Sequence, residues 1–359
     1  MAEKQLERSR EPDPKAERSD QDILMKAEHF RKMAAGKIII RGDDYDWEQS
    51  RHAYTKRYIW AGNWDKVATP GWAVFRNRML TKGGRHIHQG GIGLLALEGQ
   101  GYTTVDGVRY DWEAGDLVML PIKPGGVDHQ HFNRLDSGYS EWIAFIYQPF
   151  QEIVGDVYIQ KDFHPEWTGP KVPLAENWVD ESVLANIVKS RTDLIEPESP
   201  GLLGDLISTR NQERAQLKRT FPVIKRKLLP IENNPLGFFR WYLHPSLKDN
   251  PSKAMIEWSQ EIPPGSRSGK VRSQGGKLYY VIEGKGYTIL NGTRYDWQKS
   301  DLLCIPHKIE GSIYQHFNAD TDKPATLYGV EFNWSEALGI DMGCGFDILE
   351  PSPDFHFGG

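Results

Sequence analysis

The sequence predicts an all-β chain of two antiparallel sandwiches in tandem, joined by a partly helical connecting segment. Three observations lead there. The first is an internal repeat: Gly101-Tyr-Thr-Thr-Val-Asp-Gly-Val-Arg-Tyr-Asp-Trp112 returns as Gly286-Tyr-Thr-Ile-Leu-Asn-Gly-Thr-Arg-Tyr-Asp-Trp297, displaced by 185 residues. The displacement then holds without a gap, so that Asp116-Leu117 matches Asp301-Leu302, Pro121 matches Pro306, and Gln130-His131-Phe132-Asn133 matches Gln315-His316-Phe317-Asn318. The second is a density of short β signals in both copies. Asp106-Gly107 and Asn291-Gly292 supply the positive φ of tight hairpin turns, and Leu94–Leu97 and Leu278–Ile282 are apolar runs of strand length closed by Glu-Gly. The third is the contrasting stretch from Glu176 to Lys227, where Ser182 to Ser190 and Leu202 to Leu217 place apolar residues near helical spacing.

Taken in chain order, residues 1–21 mix Glu, Lys, Arg and Asp without an apolar stretch, which reads as a disordered tail and not as a secretory signal. Residues 22–150 form the first sandwich, 151–227 the partly helical connecting segment, and 228–359 the second sandwich. With 359 residues, 39% of them hydrophobic, the chain can bury two ordinary cores. A net charge of -5 leaves no basic footprint for nucleic acid, and no run of about 18 apolar residues marks a membrane span. Only Cys304 and Cys344 are present, without CxxC spacing, which fits a cytoplasmic location and argues against a disulfide framework.

The chemistry concentrates in histidines. His86-Ile87-His88 reads as a strand on which both imidazoles face the same way, and His129-Gln130-His131-Phe132-Asn133 follows downstream. The repeat sorts them. Val271, Ser273 and Tyr314 stand where the second copy should carry His86, His88 and His129, whereas His131 keeps its counterpart His316. A ligand set is lost as a unit, so His86, His88 and His129 are the expected metal ligands, with His131 beside them but not on the metal. Three imidazoles suit iron, copper, zinc or nickel and not magnesium or calcium.

Gly115 followed by Pro121, then His129 followed by Asn133, together with the upstream His-x-His and Glu98-Gly99, resemble the two cupin motifs. Cupins are jelly-roll barrels, so the resemblance implies two tandem cupin barrels, the second having lost its metal site. Within the superfamily the chain looks most similar to the bicupin gentisate 1,2-dioxygenase and salicylate 1,2-dioxygenase group. That resemblance implies a homo-oligomer with Fe(II) on the three histidines. It implies open coordination positions for a bidentate aromatic substrate and O2, and a ring-cleaving reaction of the extradiol type in aromatic catabolism. It also implies a supporting or acid-base role for His131, while the survival of His316 is what a structural residue would show.

By the same resemblance, Arg57, Trp72 and Arg76 are candidate substrate residues, since a guanidinium fork matches a carboxylate. Arg76 stands where the family has a glutamine, and Leu94 where it has an arginine. Trp142–Tyr147 replaces a stretch that carries two aspartates in the family. These departures point away from gentisate and toward a substituted salicylate, a hydroxynaphthoate or another hydroxylated aromatic. Two other readings stay open: a cupin that binds a small molecule without catalysis, and a metal-dependent decarboxylase or isomerase. Against the latter, the segment after His88, Gln89-Gly-Gly-Ile-Gly93, lacks the glutamate that decarboxylases of this superfamily keep.

Overall fold

The repeat in the sequence is a repeat in space. In the computed structural model, which describes residues 18–122, 125–155, 158–170, 199–217, 221–247, 250–308, 310–333 and 346–356, each half is a sandwich of one seven-stranded and one five-stranded antiparallel sheet. Pairing registers carry over at the same 185-residue displacement: His86 lies opposite His129 and His88 opposite Val127, and likewise Val271 lies opposite Tyr314 and Ser273 opposite Ser312. Both hairpin turns have the expected geometry, with φ of 50° and 82° at Asp106 and Gly107 and of 50° and 83° at Asn291 and Gly292.

The two seven-stranded sheets pack against each other. One apolar cluster fills the first barrel (Leu94, Ala96, Trp112, Val118, Trp142), and a second fills the other barrel (Trp258, Tyr279, Val281, Trp297, Leu303). A third lies between the barrels and joins Trp72, Val74, Leu95, Ile143 and Phe145 to Leu278, Tyr280, Tyr328 and Val330. Strands Ile92–Glu98 and Lys277–Glu283 are therefore buried on both faces, which explains their unbroken apolar runs.

The barrels also exchange edge strands. Ile39–Ile40 pairs with Leu302 and Leu303 in the second barrel, and Val223–Ile224 pairs with Leu117 and Val118 in the first. Matching contacts lock both exchanges. Arg41 reaches the buried Asp301 carboxylate at 2.5 Å and Lys225 reaches the buried Asp116 at 2.7 Å, while the backbone N–H groups of Gly42 and Arg226 donate to the same two carboxylates. Covering a sheet edge with a short strand from outside that barrel removes unpaired backbone groups from both.

Helix Arg18–Ala35 begins inside the stretch expected to be a tail; residues 1–17 lie outside the described ones. Its Glu28 pairs with Arg31 and Lys32 one turn on, and Met33 is buried. In the connecting segment the helix expected over Leu202 to Leu217 is present as Gly201–Leu217, and Ser182 to Ser190 lies outside the described residues. No helix among the described residues is long and apolar enough to cross a membrane.

Glu257 is a polar exception at the seam between the barrels. Fully buried, it accepts a hydrogen bond from Tyr328 Oη at 2.6 Å and lies against Gly93, where any Cβ would collide with its carboxylate. Burial pushes this carboxyl up to about 7, the Tyr328 hydrogen bond opposing the rise. The folded chain therefore holds a proton here that the unfolded chain releases near 4.5, so stability from this group is full below pH 4.5 and is lost as pH rises to about 7. The loss is on the order of 3 kcal/mol. Glu257→Gln should gain on the wild type in urea unfolding between pH 5 and pH 8; an equal difference at both pH values would refute the assignment.

Candidate metal centre

Strand geometry assembles the histidines. On the antiparallel pair His86–His88 and Val127–Asn133, His86 and His129 are direct cross-strand partners, and His88 stands two residues from His86 on the same face. One ring nitrogen from each of the three lies within 4.8 Å of the others. Every Nδ1 faces a backbone carbonyl: that of Gly84 for His86 at 3.1 Å, of Gln89 for His88 at 2.6 Å, and of Val127 for His129 at 2.8 Å. A carbonyl only accepts, so each Nδ1 carries the proton and each Nε2 the lone pair. This backbone contact orients a ring for metal binding. Burial, reinforced by the neighbouring imidazoles, holds His86 and His129 well below the usual histidine range, and a neutral ring is the form that ligates. The donor set fits a divalent transition metal.

His131 faces the same cavity through different chemistry. Trp112 Nε1 donates to Thr103 Oγ1 at 3.0 Å, and that hydroxyl lies 2.8 Å from His131 Nδ1. Among the described contacts His131 Nδ1 is the acceptor that the hydroxyl proton meets, so the hydroxyl donates there, which leaves His131 with N–H on Nε2. Burial lowers this ring to about 3, so it stays neutral and acts as a donor. The three clustered histidines thus present a lone pair and His131 a proton. The tautomer, fixed by neighbours, separates them.

The cavity, of about 200 Å³, is lined by the four histidines together with Phe75, Met79, Leu94, Leu120, Trp142 and Ile146, and by His52, Asn77, Gln148, Gln151 and Tyr158. No Asp, Glu, Lys or Arg lines it among the described residues. Of the expected substrate residues, Leu94 is at the wall and the other three are elsewhere. Trp72 is buried between the barrels against Tyr147, Arg76 bonds Glu141 and reaches Ser300 of the second barrel at 3.1 Å, and Arg57 pairs with Glu48 at the surface. For Trp72 and Arg76 the reason is strand parity: along Trp72–Met79 the residues Phe75, Asn77 and Met79 face the cavity, so Trp72, Val74 and Arg76 face the other barrel.

Other wall residues had no signal in the sequence. Ile159–Gln160, from the connecting segment, pairs beside His86–His88 and brings Tyr158 to the cavity. Tyr158 donates to Gln160 Oε1 at 2.5 Å and accepts from His52 Nε2 at 2.8 Å, which leaves the Nδ1 lone pair of His52 without a partner among the described residues. His52, an isolated histidine in the sequence, packs 4.3 Å from the His86 ring, centre to centre. Burial lowers it to about 3, with the adjoining His88, Arg51 and His164 adding to the effect. Trp142 Nε1 and Gln151 Oε1 are also buried without partners among the described residues, giving the wall one donor and one acceptor.

No protein-family model matches the chain. An oxalate decarboxylase of Bacillus subtilis superposes with a TM-score of 0.55 at 15% identity, over 88% of this chain and 80% of that one. The fold is that of a two-barrel cupin. A salicylate 1,2-dioxygenase from Pseudaminobacter salicylatoxidans superposes with a TM-score of 0.47 at 16% identity, over 73% of this chain and 71% of that one. Among curated proteins, a 5-aminosalicylate 1,2-dioxygenase of Comamonas sp. is 31% identical over 64 residues, which is 18% of this chain and 16% of that relative's length.

Proposed function

We propose that this cupin is a metal-dependent dioxygenase that cleaves the ring of a small hydroxylated aromatic, with Fe(II) on His86, His88 and His129. The observation that carries the reading is the wall: three clustered imidazoles and no carboxylate among the described lining residues. The glutamate that the resemblance gives to decarboxylases of this superfamily has no counterpart among the described lining residues. The stretch similar to a 5-aminosalicylate dioxygenase supports the same direction.

When bound, the metal would supply Lewis acidity toward the oxygens of a chelating aromatic and redox coupling to O2. The chain's own residues do the rest. Phe75, Leu94, Trp142 and Ile146 exclude water and hold a planar ring, while Trp142 Nε1 and His131 Nε2 present protons to its oxygen substituents. With Arg76 turned toward the other barrel and Arg57 paired with Glu48 at the surface, a substrate carboxylate has no guanidinium partner among the described wall residues. Chelation and these two donors would orient it instead, which favours an ortho-hydroxy carboxylate over a lone carboxylate.

The test is anaerobic loading with Fe(II), then oxygen uptake and ring-opening absorbance over salicylates, gentisate and hydroxynaphthoates. Oxygen consumption matched to ring opening is the expected result. Full iron loading without oxygen uptake on any member would overturn the dioxygenase reading.

A further inference from the structure

The second barrel has lost its metal ligands and kept a cavity. It is larger than the first, about 300 Å³, and its walls include Phe239, Trp241, Trp258, Tyr279, Tyr314 and Phe346. Tyr314 and Val271 stand face to face where the first barrel has His129 and His86, and Tyr314 bonds Tyr279 through their hydroxyls at 3.1 Å. An apolar, aromatic face has replaced the metal-binding one.

The donor apparatus on the same sheet is intact. Trp297 Nε1 donates to Thr288 Oγ1 at 3.0 Å, and Thr288 Oγ1 lies 2.8 Å from His316 Nδ1, the same relay as in the first barrel. By the same reasoning His316 carries its proton on Nε2. That N–H is fully buried, and so is the indole N–H of Trp258; neither has a partner among the described residues, and both residues line the one cavity. A buried donor left without an acceptor costs free energy. Two such donors, on residues that line one aromatic cavity, are what an oxygen acceptor on a bound ring would satisfy.

The charges at the wall restrict the ligand further. Lys277 pairs with Glu331 at 2.7 Å inside the cavity, and Glu232 at its rim accepts from Trp241 Nε1 and Asn234 Nδ2. Two carboxylates against one ammonium disfavour an anion. The mouth is marked by the exposed side chains of Phe346 and Ile348.

We propose that the second barrel is a metal-free binding site for a neutral, planar aromatic molecule bearing a carbonyl oxygen, which accepts from His316 Nε2 and Trp258 Nε1. The site is independent of the chemistry in the first barrel.

Titration calorimetry on the full-length, metal-loaded protein tests it with three probes: chromone, naphthalene, which lacks the acceptor, and 2-naphthoate, which adds a negative charge. Chromone should bind, and each of the other two should be about tenfold weaker, the scale of one or two buried hydrogen bonds. His316→Leu should weaken chromone by a similar factor of about ten without weakening naphthalene. Ile348→Trp, a substitution at an exposed position, should plug the mouth and abolish binding of both, with metal content unchanged in either variant. Absence of binding by the wild type overturns the proposal, as does chromone affinity unchanged in both variants, which would place the ligand in the first barrel.

Discussion

Replacing His86, His88 or His129 with alanine should lower metal affinity more than about 100-fold, beyond the range seen when only a supporting contact is lost. His131→Ala should leave metal content near the wild-type value. The contrast follows from which ring nitrogen is protonated. In the first three histidines a backbone carbonyl takes the Nδ1 proton and the lone pair lies on Nε2; in His131 the Thr103 hydroxyl donates to Nδ1 and puts the proton on Nε2. A protonated nitrogen is not a ligand. Metal content of each variant after anaerobic loading and dialysis against a competing chelator measures the effect. Loss of metal in His131→Ala together with retention in His129→Ala would reverse the assignment. His52→Ala belongs in the same series, because its Nδ1 lone pair lies beside the His86 ring and no spacing in the sequence marked it.

The sequence made one kind of feature visible and hid another. The 185-residue displacement was readable because duplicated strands keep their turns: Asp106-Gly107 and Asn291-Gly292 each fix a hairpin, and the register of every strand follows from it. Loss of His86, His88 and His129 together in the second copy could be seen for the same reason. The direction of Trp72, Arg57 and Arg76 could not be read. Parity along a strand is legible when one face is wet and the other dry, and Trp72–Met79 lies between the core of its own barrel and the seam with the next. A pattern buried on both faces carries no mark of which face is the cavity. The exchange of Ile39–Ile40 and Val223–Ile224 was hidden differently, since two-residue edge strands have no periodicity to detect.

The arginine that parity turned away from the cavity does other work, and Glu141→Ala should cost about 3–5 kcal/mol, the range for breaking a buried ion pair from one side. Glu141 is fully buried and receives both Arg76 and Arg78. Strand register explains the convergence: Glu141 is the cross-strand partner of Arg78, and Arg76 lies two residues away on the same face. Around them, Arg78 packs 4.2 Å from the Trp47 ring and 3.9 Å from the Tyr139 ring, and Arg76 extends to Tyr58 and to Ser300 of the second barrel. Removing the carboxylate leaves two guanidinium groups near each other with nothing to neutralise them, and Arg76 is largely withdrawn from water. Removing Arg78 alone should cost less, because Glu141 keeps Arg76 and the Arg78 side chain is partly solvated. Urea unfolding of Glu141→Ala, Arg78→Ala and the double variant resolves this. The double variant should be less destabilised than the sum of the singles, and strict additivity would show that the two residues do not act as a unit. Since Arg76 bridges the seam, Glu141→Ala should also lower the cooperativity of unfolding between the barrels while leaving His86, His88 and His129, on the opposite sheet of the first barrel, in place.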